Sequence, residues 1–102
     1  MRKASPSQLL EVAITLHRYI TGGYPPDLFL KRYKAVRLDP DYRPATRPPL
    51  IGLLGRSDMF DVWHSMTDTS KRIVKAPGRY SQKEYIAAIE EAWCLLQRLN
   101  KI

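Results

Sequence analysis

The sequence predicts a mainly α protein: a small single-domain bundle of about four helices with a long Pro-rich loop. Two capping boxes point to it. Ser5-Pro6-Ser7-Gln8 and Ser81-Gln82-Lys83-Glu84 each open a run of apolar residues at helical spacing. The loop follows from Pro40, Pro44, Pro48 and Pro49, which deny residues 39–49 the backbone donors of any regular element. At 102 residues, 44% of them apolar, the chain is sized for one helical domain, 1–102, with a modest core.

The first helix begins with Ser5 as N-cap, Pro6 at its first position and Gln8 closing the box. Leu9, Val12, Ala13, Leu16 and Ile20 make its stripe, and Leu10, Ile14 and His17 widen it. A helix apolar over most of its girth belongs in the core. His17 borders that face and is expected as a hydrogen-bonded rim residue. Gly22-Gly23 supplies the left-handed stop, and Pro25-Pro26 prevents resumption.

A second helix is predicted over 26–36. Phe29, Leu30, Tyr33 and Val36 form its inner face, and Lys31 and Lys34 point outward. The Pro-rich loop at 39–49 follows. Residues 50–55, an apolar run with two glycines, fit either a helical turn or a buried strand. A third helix is predicted over 58–66, capped by Ser57 or Asp58, with Met59, Val62, Trp63 and Met66 on one side. The β-branched character of residues 71–76 keeps an alternative open: a short β-hairpin around 59–76, turning at Thr67-Asp68-Thr69-Ser70. The last helix follows the second capping box. Tyr85, Ala88, Ile89, Ala92, Leu96 and Leu99 form its stripe, widened by Ile86, Trp93 and Leu95.

The net charge is +7 and unevenly spread. Lys31, Arg32, Lys34, Arg37, Arg43 and Arg47 face only Asp39 and Asp41 within residues 31–49. Lys71, Arg72, Lys75, Arg79 and Lys83 fall in a stretch, 71–83, with no acid at all. The rest of the chain carries slightly more acid than base. Clustered cations make a field that attracts polyanions, which a merely solvated surface does not require.

Other chemistries find little support. His17, His64 and Cys94 stand alone, without the short ligand spacing of a zinc site, so no metal or cofactor is expected. Carboxylates near Cys94 would raise its thiol pKa, the wrong direction for a nucleophile. Asp61 and His64 are ordinary i,i+3 neighbours on a helix. The glycines do not form a phosphate-binding loop. No nucleophile, base and orienting group converge, so the chain is expected not to be an enzyme. The junction at 21–26 carries two prolines where a helix-turn-helix needs a tight turn. The N-terminus lacks the apolar run of a signal peptide, and no stretch is long and apolar enough to span a membrane. A single cysteine fits a reducing, cytoplasmic setting.

The best-motivated expectation is a nucleic-acid-binding protein of DNA or RNA. Its binding would be dominated by the backbone of single-stranded or distorted strands. The contact set is Lys31, Arg32, Lys34, Arg37, Arg43, Arg47, Lys71, Arg72, Lys75, Arg79 and Lys83, with Tyr42 and Tyr80 to stack on bases. It requires the two basic segments to share one side of the molecule. The alternative is a protein-interaction module, an adaptor or an inhibitor of a host enzyme. Its supports are the Pro-rich arm and a patch of Met59, Trp63 and Met66, although the same three residues fit a core equally. Length, basicity and lack of motif have the style of phage and mobile-element accessory proteins. The chain is also a candidate homo-oligomer, although no heptad run or edge strand points to one.

Overall fold

The computed structural model describes residues 2–22 and 54–102. The described chain is mainly helical, with four α-helices and one 3₁₀ turn and no strand among the described residues. The expected helix at 26–36, the Pro-rich loop at 39–49 and the apolar residues 50–53 lie outside them.

Helix α1 spans Pro6–Thr21. Its capping box forms as expected. The Gln8 amide donates to Ser5 Oγ at 3.3 Å, and the Ser5 amide donates to Gln8 Oε1 at 2.9 Å. Two otherwise orphaned donors are thereby satisfied at one helix end. Gly22 ends the helix at φ 76°, its amide donating to the Arg18 carbonyl at 3.1 Å. Leu9, Leu10, Val12, Ala13 and Leu16 are buried.

Helix α2 spans Arg56–Ser65, starting two residues before the expected 58. Asp58 does not sit outside the helix as its cap. It lies within the first turn, and its Oδ2 accepts from the Gly55 amide at 2.7 Å. Helix α3, Asp68–Lys75, replaces the hairpin alternative. The stretch read there as a turn is a helix N-terminus: Thr67 caps it, its Oγ1 accepting from the Ser70 amide at 3.3 Å. Ser70, Ile73 and Val74 are buried at helical spacing. The helix penalty of a β-branched residue is a few tenths of a kcal/mol, whereas burying its side chain gains about 1.5–3 kcal/mol. Packing therefore decides. A 3₁₀ turn, Pro77–Arg79, leads into the next capping box.

Helix α4, Gln82–Arg98, is the element on which α1, α2 and α3 all pack. Tyr85, Ala88, Ile89, Ala92, Trp93, Leu95 and Leu96 are buried along it. Its C-terminus closes with a Schellman motif. Asn100 takes a left-handed φ of 58°, its amide donates to the Gln97 carbonyl at 3.1 Å, and the Lys101 amide donates to Leu96 at 2.8 Å. The reversal delivers Lys101 to α2, where its Nζ lies 3.2 Å from Asp58 and 3.0 Å from Asp61. At the other end of the chain, Trp93 Nε1 and Gln97 Nε2 both donate to the Arg2 carbonyl, at 2.9 and 3.0 Å. The Arg2 amide returns a bond to Gln97 Oε1 at 2.8 Å. Both described ends are thus tied to the bundle.

His17 departs from its expected place at the rim. It is 4% exposed, and its Nε2 has no hydrogen-bond partner among the described residues. Its ring lies 5.7 Å from that of Tyr85, centroid to centroid. The residue lies deeper than its spacing suggested because α4 covers that side of α1.

Candidate functional site

The second basic segment is described in full. It runs from α3 through the 3₁₀ turn into the first turn of α4. Burial of Ser70, Ile73 and Val74 sets the rotation of α3, so Arg72 and Lys75 face solvent and Lys71 is half-exposed. Arg79 and Lys83 are exposed. Among the described residues, none of these five cations lies within ion-pair distance of a carboxylate; the bridges found there belong to Lys101.

Neighbouring acids are occupied elsewhere. Glu91 on α4 accepts from the Thr67 amide at 3.1 Å and from its hydroxyl at 3.2 and 3.3 Å. It thereby anchors the residue that caps α3 and fixes where α3 begins. Asp58 and Asp61 are engaged with Lys101. The Gly55 amide, donating to the Asp58 carboxylate, holds it below its ordinary pKa.

Lys71 and Lys75, one helical turn apart, both reach the Trp63 ring of α2. Their Nζ atoms lie 5.9 and 5.6 Å from its centroid. Each such cation–π contact contributes about 0.5–1 kcal/mol at an exposed site. Trp63 is half-buried against the core, while Met59 and Met66 are fully core. The patch expected from these three residues thus reduces to Trp63. Phe60, which the sequence reading passed over, is 50% exposed and pairs with His64 at 4.1 Å.

Tyr80 is half-buried, packed against the core edge, so only part of its ring faces outward. Lys31, Arg32, Lys34, Arg37, Tyr42, Arg43 and Arg47 lie outside the described residues, and so does the juxtaposition of the two basic segments. No three His, Cys, Asp or Glu side chains gather into a metal-binding group among the described residues. Nor is any described helix long and apolar enough to cross a membrane.

Two titratable groups are shifted upward by burial. Burial pushes the Glu11 carboxyl up to about 7 and pushes the Tyr85 phenol up as well. Both are helix positions whose surroundings come from other elements, so spacing alone carried no signal.

The described chain is thus a helical bundle with one basic edge, bordered by aromatic rings, whose five cations form no ion pair among the described residues. No protein-family model, curated protein or solved structure matches it.

Proposed function

We propose that this protein is a non-enzymatic nucleic-acid-binding protein whose affinity comes mainly from phosphate contacts. The observation that supports the reading is the set Lys71, Arg72, Lys75, Arg79 and Lys83, left without carboxylate partners along α3 and the start of α4. Internal stability explains only part of the set: Lys71 and Lys75 lean on Trp63, and Arg72 and Lys75 suit the last turn of α3. Lys83 sits in the first turn of α4, where the helix dipole disfavours a cation by about 0.3–1 kcal/mol. A phosphate seated there would turn that penalty into an attraction. Releasing condensed counterions from the strand adds affinity independent of sequence. Lys31, Arg32, Lys34, Arg37, Arg43 and Arg47 extend the same role by their charge, with Tyr42 and Tyr80 as stacking groups.

A gel-shift series with single- and double-stranded DNA and RNA at two salt concentrations tests it. Binding is expected at ~50 mM salt and to weaken steeply as salt rises, with a log–log slope near −0.7 per phosphate on single strands. No affinity for any of the four probes at ~50 mM salt ends the proposal.

A further inference from the structure

We infer that the corner between α2 and α3 is a base-stacking platform for a single-stranded polynucleotide, with Phe60 as the stacking ring and Lys71 and Lys75 as its phosphate contacts. This rests on the nucleic-acid reading above and adds the part of the ligand that the cations alone do not specify.

Folding does not account for Phe60. Met59, Val62 and Met66 fill the core side of α2, whereas Phe60 is the exposed large apolar side chain of the described residues, at 50%. Its ring is not loose, because His64 one turn on packs against it at 4.1 Å with a 49° tilt. Trp63 lies three residues along the same helix from Phe60. It holds the two lysine ammoniums over its ring at 5.9 and 5.6 Å. Phe60 and the ring that carries the two cations are therefore i,i+3 neighbours on the surface of α2.

Charge and shape together select the occupant. An apolar protein surface docking on Phe60 would bring it against ammoniums that lack carboxylate partners. A duplex meets the cations but keeps its base faces stacked inside. A single strand supplies both, phosphates for Lys71 and Lys75 and an unstacked base for Phe60. Stacking and phosphate contact use features common to DNA and RNA, so the platform takes either sugar.

The test uses the full chain and labelled oligothymidylate, oligouridylate and a blunt DNA duplex of about 20 units each, by anisotropy at ~50 mM salt. Phe60→Ala should weaken binding of both single strands about tenfold and leave duplex binding unchanged, while Phe60→Trp should retain strand affinity. The exposed position of Phe60 makes both variants safe for folding. The strand should also quench tryptophan emission through half-exposed Trp63, since Trp93 is buried. Strand binding unchanged in Phe60→Ala, without quenching, overturns the platform and leaves the basic surface standing. A preference above about tenfold for one sugar also overturns it, because recognition then lies on the ribose. A wild-type chain that binds none of the probes overturns the broader reading as well.

Discussion

His17 and Glu11 lie on the same helix and respond to pH in opposite senses. Burial lowers the imidazole's pKa below 6.5. The unfolded chain therefore takes up a proton at a pH where the folded chain does not, and stability falls as pH drops below 6.5. Burial raises the Glu11 carboxyl from 4.5 to about 7. Between those values the folded chain holds a proton that the unfolded chain has released, so stability falls as pH rises through that window. The two slopes oppose each other in the wild type. Glu11→Gln should raise the melting temperature at about pH 8 and lose that gain at about pH 4. Thermal melts at the two pH values check this, and an equal gain at both contradicts the assignment. On the Glu11→Gln background the decline that sets in just below pH 6.5 belongs to His17, and Asp58, held below its ordinary pKa, adds a second one at lower pH. Neither behaviour was legible in the sequence. A helical wheel places Glu11 on the polar strip and His17 at its border, while desolvation depends on what other elements lay over them.

Helix α3 shows how an element is decided. The Ile-Val pair within residues 71–76 keeps a strand of a hairpin open as an alternative. Two features tip it to helix: the Thr67 cap and the spacing of Ser70, Ile73 and Val74 toward α4. Glu91 reinforces the first by bonding both the amide and the hydroxyl of Thr67. Thr67→Ala should destabilise the protein by about 1 kcal/mol, with a similar loss for Glu91→Ala, measured by urea denaturation. The Thr67 cap could have been seen in the sequence, with Asp68 following it and Arg72 and Lys75 in the last turn. The Glu91 clamp could not, because it joins positions 24 residues apart. At the end of α4, Asn100 occupies the left-handed region. Asn100→Val should cost about 1–2 kcal/mol and loosen the Lys101 bridge to Asp58 and Asp61, whereas Asn100→Gly should be tolerated. Urea midpoints for the two variants check the contrast.

For the molecule as a whole, the cationic edge and the core are separable. Leu16, Ile89 and Leu96 are fully enclosed, and truncating Leu96 to Ala should cost about 2–5 kcal/mol. Lys71, Arg72 and Lys75 contribute little to that core beyond contacts to Trp63. Changing all three to Gln should cost about 1–2 kcal/mol of stability through the two lost contacts to Trp63, keep the fold, and reduce the salt slope of single-strand binding by about 2. A triple variant that binds strands with the wild-type slope would remove α3 from the interface.

Local rules were enough to foretell the helical class, the two outer helices with their caps, the Gly22 stop and the charge-rich stretch at 71–83. Each depends on neighbours within about one turn, and such interactions are written in consecutive residues. The fate of residues 68–76, the depth of His17, the half-burial of Glu11 and the meeting of Lys71 and Lys75 with Trp63 were settled by assembly. They depend on which faces α4 brings together, and burial and electrostatic coupling between distant segments have no local periodicity to betray them.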